Sequence, residues 1–253
     1  PPLHLDLGSE GDLTEEEPLS RSFFSARVTA IVHSAQRIVM GHENGGISIW
    51  SRPLTPESKP QRSWLAHEEV IRSLGRSPAG VITALSADGS WTQWTAEGRA
   101  LKRERLLDAH PNAVLFLEEQ TQVFGSERGV VTAMRKGERM WRTAGEHGRA
   151  AFAIARLDPQ SVLSIGSDGW GRCWLISNGS GCGALPLHQG WAVSLLSFQG
   201  GWLTAGSDGF VRWWSPSFAR EIRQAEVLNV RSSLAKSAAS FKAHERDITR
   251  LDA

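Results

Sequence analysis

The residues that first suggest chemistry are a histidine, a serine and an aspartate in one stretch of the chain: His147, Ser164 and Asp168. Serine hydrolases use these residue types as base, nucleophile and orienting acid. The set recurs in the next stretch as His188, Thr204 and Asp208, and its last two members are each displaced by 40 residues. Because an enzyme needs such a site once, the repetition favours a structural role, and no catalytic residue is predicted.

Two other chemistries are not supported by the spacing of their residues. The Gly-Ser-Asp-Gly turns at 166–169 and 206–209 could cradle a phosphate with backbone N–H groups, but no lysine or helix start follows them. The eight histidines are scattered along the chain, and neither Cys173 nor Cys182 belongs to a Cys-x-x-Cys pair, so no cluster has zinc spacing. The sequence therefore predicts no metal and no cofactor.

A repeat of about 40 residues orders the chain. Five turn glycines are spaced by 44, 40, 40 and 40 residues, and a large apolar residue follows each glycine after five positions. The pairs are Gly45 and Trp50, Gly89 and Trp94, Gly129 and Met134, Gly169 and Trp174, and Gly209 and Trp214. A histidine precedes an apolar β-type segment at His67, His110, His147, His188 and His244. Each unit then contains four short strands, and such units must stack radially to bury both faces.

On these histidines, turns and tryptophans the sequence resembles the WD40 repeat family of β-propellers, over about residues 20 to 253. The resemblance implies an all-β propeller built of four-stranded blades. The sequence departs from the family pattern at two places in each unit. The histidine follows Ala, Glu or Leu rather than Gly, and the tryptophan is followed by Ser, Thr or Leu rather than Asp.

The resemblance also implies a structural relay from a turn aspartate to the histidine, a Ser or Thr hydroxyl and the tryptophan indole. The matching positions are His147, Ser164, Asp168 and Trp174; His188, Thr204, Asp208 and Trp214; and His67, Asp88 and Trp94. In the second unit Ala84 stands where the hydroxyl is expected, and the first unit retains only Trp50. The third unit has Phe124, Arg128 and Met134, so we expect apolar packing to hold it.

The repeat register also predicts the domain boundaries. An acidic lead-in and a closing outer strand occupy 1–25, and the blades occupy 26–66, 67–109, 110–146, 147–187 and 188–243, with the start of a sixth at 244–253. The ring is then incomplete. Because open strand edges invite pairing, we expect a fragment of a longer chain or completion by a partner, by remaining blades or by a fused domain of the same parent chain.

Surplus aromatic and arginine residues near the turns predict a binding face. In the resembling family these turns lie on one end of the ring, where peptides and protein partners dock, and exposed Trp and Arg are typical anchors. The alternative for the rings is packing between blades. The candidates are Trp191, Trp170, Trp91, Phe210, Arg27, Arg72 and Arg128.

One unit carries a long insertion, at 219–243. Long insertions in compact domains are often disordered or functional, so we expect a surface loop or disorder, with a partner-binding arm as the alternative. Its basic stretch, 220–242, leaves nucleic-acid binding open, and steep salt dependence would be the signature.

Composition limits the remaining classes. The 253 residues carry 28 Lys+Arg against 27 Asp+Glu, so no global charge favours nucleic acid or anionic lipid. Residues 1–18 contain six acids and no Lys or Arg, which predicts a solvated lead-in or a docking tail. No apolar run is long enough to span a membrane, and two cysteines favour a reducing compartment, the cytoplasm.

The sequence therefore predicts a non-catalytic platform for protein–protein interaction, which binds a peptide or partner domain on one end face. The competing class is a propeller enzyme with a cofactor or metal in the central channel. That class needs acids, histidines or arginines converging at the first strands, where this sequence has mostly Val, Ala, Leu and Ser.

Overall fold

The structure, a computed structural model, describes residues 26–105, 110–118, 120–228, 235 and 237–243. Within these residues, twenty strands form five antiparallel sheets of four strands, and each sheet follows the order of the sequence. The lead-in, the closing outer strand and the start of a sixth blade lie outside the described residues. No helix in the described part of the chain is long and apolar enough to cross a membrane.

Each sheet is one blade. Blade 1 contains β1 (Val28–His33), β2 (Arg37–His42), β3 (Gly46–Ser51) and β4 (Arg62–Leu65). Blade 2 contains β5 (Ile71–Arg76), β6 (Ile82–Ser86), β7 (Ser90–Trp94) and β8 (Ala100–Arg105). Blade 3 contains β9 (Pro111–Glu118), β10 (Thr121–Ser126), β11 (Val131–Arg135) and β12 (Glu138–Arg142). Blade 4 contains β13 (Ala151–Asp158), β14 (Ser161–Gly166), β15 (Trp170–Leu175) and β16 (Gly181–Pro186). Blade 5 contains β17 (Ala192–Phe198), β18 (Gly201–Gly206), β19 (Phe210–Trp214) and β20 (Ala239–Lys242).

The first strands of the blades surround the centre of the molecule. From blade 1 to blade 5, each first strand packs beside the next one. Residues of all five strands or of the segments just before them line a central cavity of about 620 Å³. The architecture is therefore a β-propeller, which confirms the fold class that the family resemblance implied.

Tight turns between the second and third strands join neighbouring blades. Gly45 has a φ of +81° and Gly169 a φ of +77°, a conformation that L side chains rarely adopt. A Cβ on Gly45 would overlap the carbonyl oxygen of His67, at the start of the next blade. The backbone N–H groups of Ala66 and His67 both donate to the Gly45 carbonyl at 3.1 Å. The turn glycines thus provide both the backbone conformation and the close approach of the next blade.

The insertion after β19 begins with a helix, α1 (Phe218–Leu228). Phe218, Ile222 and Ala225 form a buried stripe at helical spacing, and α1 packs on β16. The Phe218 ring lies 4.9 Å from the Trp214 ring, between centroids. Gly183 lies so close to the Ile222 backbone that no Cβ fits.

The prediction of a loop or disorder was therefore wrong for this helix and for β20, which forms the outer strand of blade 5. The apolar stripe begins at Phe218, whereas the insertion defined from the sequence begins at residue 219. The first residue of the helical pattern was therefore left out.

The two cysteines form a disulfide that joins β15 to β16, with 5.0 Å between the Cα atoms of Cys173 and Cys182. The expectation from the sequence was a reducing compartment, and no pairing of the two cysteines was predicted. The strand pairing places Cys173 opposite Gly183, and a bulge follows, so Cys182 comes within reach. The cysteine count therefore gives no support for a reducing compartment.

Candidate functional site

One end of the propeller carries the turns between second and third strands and the segments that lead into the first strands; we call this end the turn face. Trp191 lies there, just before β17, and is 50% exposed. Its backbone N–H donates to Ser207 Oγ at 2.8 Å, and its carbonyl accepts from the Ser207 N–H at 2.9 Å. Its ring centroid lies 5.8 Å from that of Phe152. The backbone of Trp191 is thus anchored to Ser207, and its exposed indole packs against Phe152.

Trp191 and Phe152 form part of the wall of the central cavity, together with Arg72 and Asn112 from other blades. Arg72 donates to Asn112 Oδ1 at 3.0 Å and lies 3.6 Å from a carboxylate oxygen of Glu127. Among the described residues that line this cavity, Arg72 is the one charged side chain. The mouth of the channel therefore combines an aromatic wall with a cationic hydrogen-bond donor.

Two other aromatic candidates pack against arginine side chains. Trp170 and Phe210 are half-buried. The guanidinium of Arg172 lies 5.7 Å from the Trp170 ring centroid, and that of Arg212 lies 4.9 Å from the Phe210 ring centroid. These contacts have cation–π geometry.

The remaining arginine candidates are exposed on the turn face. Arg27 pairs with Glu43 at 3.3 Å, and Arg128 is exposed beside Glu127. A solvent-exposed pair of this kind adds about 0–1 kcal/mol to stability. They neither touch Trp191 nor line the cavity.

Trp91 does not belong to the turn face, and this prediction was wrong. It is 1% exposed, and its ring centroid lies 5.3 Å from that of Phe124 in blade 3. It follows its turn glycine by two positions, and the corresponding residues elsewhere include Ile47, Val131 and Val211. This position faces the neighbouring blade, so Trp91 is core.

The relay positions of blade 4 form one buried chain of hydrogen bonds. His147 Nδ1 lies 3.0 Å from Asp168 Oδ1, and His147 Nε2 lies 2.6 Å from Ser164 Oγ. The Trp174 indole N–H donates to the same hydroxyl at 2.7 Å. Because the carboxylate can only accept, the imidazole donates from Nδ1 and accepts the Ser164 proton at Nε2.

The electrostatics of this chain suit a neutral imidazole. Burial lowers the pKa of His147, although Asp168 acts in the opposite direction. Burial alone would raise the pKa of Asp168, but the hydrogen bond from His147 and the charge of Arg172 hold it below its ordinary value. The Arg172 guanidinium pairs with the second oxygen of that carboxylate. Every polar group of the chain therefore has a partner.

Blade 5 repeats this arrangement. His188 Nδ1 lies 2.9 Å from Asp208 Oδ1, and its Nε2 lies 2.8 Å from Thr204 Oγ1. The Trp214 indole donates to that hydroxyl at 2.8 Å, and Arg212 pairs with Asp208 at 2.8 Å. The similarity extends to the arginine two residues before the tryptophan, which the sequence analysis did not include.

In blade 2 the relay hydroxyl comes from the third strand. His67 Nε2 lies 2.8 Å from Thr92 Oγ1, and the Trp94 indole donates to the same oxygen at 2.7 Å. The sequence analysis noted Ala84 as a missing hydroxyl. Ala84 and Thr92 face each other across β6 and β7, so either partner of the pair can supply it.

Blade 1 also has a hydrogen-bonded histidine, contrary to the sequence prediction. His42, at the end of β2, places Nε2 2.8 Å from Ser48 Oγ, and the Trp50 indole donates to that hydroxyl at 2.8 Å. Ser48 faces Met40 across the sheet, as Thr92 faces Ala84. A Ser or Thr two residues before the tryptophan was the signal for both blades.

Blade 3 contains no such chain among its described residues. Phe124 and Thr132 occupy the paired positions, and Met134 replaces the tryptophan. His110 is half-exposed and lies 3.6 Å from Glu127. Phe124 is 1% exposed and packs on Trp91.

Comparison with known proteins bears on the fold. No protein-family model matches the sequence. A crystal structure of the WD40 beta propeller domain of Doa1 aligns with a TM-score of 0.73 at 15% identity, covering 88% of this chain and 71% of that one. The fold is that of a WD40 β-propeller.

Two further solved structures are similar to this WD40 propeller. The computationally designed Ika8 protein aligns with a TM-score of 0.65 at 20% identity over 90% of this chain. U3-55K aligns with a TM-score of 0.67 at 17% identity over 76% of this chain. The chain spans less than two thirds of each, 65% and 62% respectively.

The Ser-His-Asp geometry of this WD40 propeller does not form an accessible nucleophile. Ser164 and His147 are fully buried, and the hydroxyl already accepts the Trp174 indole N–H. A substrate carbonyl would have no path to it. Among the described residues, no group of three or more His, Cys, Asp or Glu is placed to hold a metal ion.

The described basic residues of the 220–242 stretch lie on two different elements, α1 and β20. Arg220 is exposed on α1, whereas Arg223 pairs with Asp158 at 2.5 Å, and Lys242 lies on β20. Arg231 and Lys236 lie outside the described residues. On the turn face, Asn112 and Phe152 are additions to the predicted set, and no repeat motif marked them.

Proposed function

We propose that this propeller is a non-catalytic platform that binds a protein or peptide segment on the turn face, over the mouth of the central channel. Trp191 is the anchor, and Arg72 and Asn112 supply the polar contacts. The binding surface is thus narrower than the seven candidates taken from the sequence.

The observation that carries the proposal is the exposed indole of Trp191. Because its backbone is tied to Ser207 and its ring packs against Phe152, this half-exposed ring has less conformational freedom to lose on binding than a free side chain. Tryptophan is among the residues that most often dominate interface energies. The cavity beneath it, about 620 Å³, has the size of a ligand pocket.

The geometry favours a segment with an apolar side chain next to an acceptor group. The apolar side chain would enter the channel mouth beside Trp191 and Phe152. A backbone carbonyl or a carboxylate would accept from Arg72, whose guanidinium already points at the Asn112 amide oxygen. Docking on one end face requires no change in the blades.

The test is a peptide-display selection on the whole chain, followed by affinity measurements on the selected peptides. We expect Trp191→Ala to weaken them by about 30-fold, since truncating a central aromatic anchor costs about 2 kcal/mol. Phe198→Ala is the matched control, because Phe198 is also an exposed aromatic, at 44%, but lies at the other end of β17.

Equal losses in the two variants, or selected peptides that bind both as tightly as the parent chain, would refute the turn face as the site. Arg72→Gln should weaken the same peptides less than Trp191→Ala does, because a partly exposed charge contributes less than a buried ring.

A further inference from the structure

The interface between blades 2 and 3 departs from the repeat pattern at two positions, one buried and one half-buried. The residue seven before each turn glycine is apolar in four blades and Gln122 in blade 3; the others are Ile38, Ile82, Val162 and Trp202. The residue four after the glycine is Gln93 in blade 2, and elsewhere Ile49, Ala133, Cys173 and Trp213. Both glutamines face the same space between the blades. A polar pair has replaced core residues here.

These glutamines line a crevice of about 460 Å³ on the flank of the propeller. Its wall is completed by Trp91 and Lys102 of blade 2 and by Gln120, Lys136 and Gly137 of blade 3. Gln120 and Lys136 belong to the β9–β10 and β11–β12 turns, which lie at the end opposite the turn face. The crevice is therefore separate from the surface around Trp191.

Two lysines give the crevice a positive charge. The Lys102 ammonium lies 5.6 Å from the Trp91 ring centroid and next to Gly137. Lys136 has a φ of +53° and Gly137 a φ of +85°, as a two-residue hairpin turn requires. Asparagine is the usual residue in such a turn, so a lysine here places a charge where local propensity does not favour it.

The glutamine amides of the crevice are not fully hydrogen-bonded to other described residues of the propeller. Gln122 is 6% exposed, and its side chain makes no hydrogen bond with a described residue. The amide atoms of Gln122 are not sealed from solvent, because they face the open crevice. Gln93 donates to Thr83 Oγ1 at a long 3.5 Å. The crevice thus presents one amide without a partner among the described residues and one weakly bonded amide, beside two cations.

We propose that this crevice is a second binding site, which takes an extended peptide segment through one acidic side chain. The carboxylate pairs with Lys136 and Lys102, and the glutamine amides bond the peptide groups on either side of it. Amide side chains both donate and accept, as a peptide backbone requires.

A singly charged carboxylate fits better than a phosphate dianion. Lys102 already pairs with Glu104 at 2.6 Å, so one cation is largely neutralised before the ligand arrives. A phosphate dianion would bring two negative charges to a site where Glu104 already neutralises Lys102. Lys136 is the lysine that remains to pair with it. The net charge of the site matches one negative charge.

The test is an NMR titration of the whole chain with the peptide acetyl-Ala-Ser-Glu-Ser-Ala-amide and with its Gln counterpart. We expect the Glu peptide to shift the side-chain amide signal of Gln122 and the indole signal of Trp91, and the Gln peptide to bind about tenfold more weakly. Lys136→Asn should weaken the Glu peptide several-fold while keeping the turn, because asparagine adopts positive φ readily. Lys59→Gln is the control, since Lys59 is an exposed lysine in blade 1.

Three results would overturn the proposal. They are equal binding of the Glu and Gln peptides, loss of binding in Trp191→Ala, and displacement of the peptide by inorganic phosphate at concentrations below the peptide's own dissociation constant. Unchanged binding in Trp191→Ala together with loss in Lys136→Asn would support it, whatever the selection on the turn face gives.

Discussion

Blades 3 and 4 stand side by side in the ring, yet different forces hold them. In blade 4 a buried hydroxyl, imidazole and carboxylate form one chain that ends on the Trp174 indole. In blade 3 Phe124 takes the place of that hydroxyl, and the described residues form no such chain. Removing all partners together avoids the desolvation cost of a half-satisfied network. The same backbone register thus accepts either a buried relay, as in blade 4, or apolar packing, as in blade 3.

The largest expected effect is in the apolar blade. Phe124→Ala should lower the free energy of unfolding by about 3–5 kcal/mol, because it leaves a cavity against Trp91. Urea denaturation followed by tryptophan fluorescence measures it. Phe198→Ala, at an exposed aromatic, should change stability by less than about 0.5 kcal/mol. A loss below about 1 kcal/mol for Phe124→Ala would contradict packing as the main force in blade 3.

The next effect is the loss of the blade 4 hydroxyl. Ser164→Ala should cost about 2–4 kcal/mol, since the Trp174 indole and His147 Nε2 both lose their partner in a buried site. The double variant Ser164→Ala/Arg172→Thr moves the hydroxyl across the sheet, as in blade 2, and should recover about 1 kcal/mol. A double variant that unfolds at the same urea concentration as the single one would show that the two positions are not interchangeable.

Two isosteric changes compare a used hydroxyl with an unused one. Thr92→Val in blade 2 should cost about 1–3 kcal/mol, because His67 and Trp94 both bond that hydroxyl. Thr132→Val, at the matching position of blade 3, should stay within about 0.5 kcal/mol, since Thr132 makes no side-chain hydrogen bond with a described residue. Thermal unfolding of both variants measures the two stability losses. Equal losses would contradict the distinction between blades 2 and 3.

The smallest expected effect is a difference in pH dependence. Burial lowers the pKa of His147 below 6.5, so the unfolded chain takes up a proton that the folded chain refuses. The stability it contributes is complete above pH 6.5 and falls as the pH drops towards the folded value. His147→Gln should therefore reduce the slope of unfolding free energy against pH, between pH 7 and 5.5, by at most about 1.4 kcal/mol per pH unit.

The control for the pH series is Thr132→Val in blade 3, which removes no ionisable side chain. Its slope should match that of the parent chain. A change in slope as large as that of His147→Gln would mean that the relay histidines do not cause the pH dependence.

The sequence predicted the five blades because turn glycines and core tryptophans leave a regular mark. It missed Ser48 and Thr92 as relay hydroxyls because cross-strand partners are not neighbours in the sequence. A search that allowed a hydroxyl on either strand would have found both. Trp91 was wrongly assigned to the turn face because it lies close to a turn. The equivalent position of the next blade is Val131, which indicates a core residue.

Other features depend on contacts that a single sequence does not show. The stripe of α1 is short, and its burial depends on Gly183 leaving space for the helix backbone. The disulfide depends on a bulge in the pairing of β15 and β16. The anchoring of the Trp191 backbone depends on Ser207, which precedes a turn in the same blade. In each case the contact depends on how the backbone is arranged in three dimensions, which the residue types alone do not indicate.

The closure of a turn by the segment after its own sheet, seen in blades 1, 4 and 5, determines how the chain can be divided. The Gly45 carbonyl accepts from Ala66 and His67, and the Gly209 carbonyl accepts from Ala243. A cut between two sheets would therefore leave the earlier turn with unpaired backbone groups. A segment that can be moved to another protein as a unit therefore contains one sheet together with the first residues that follow it. During synthesis, too, we expect the hydrogen bonds of such a turn to be completed after the residues that follow its sheet have emerged.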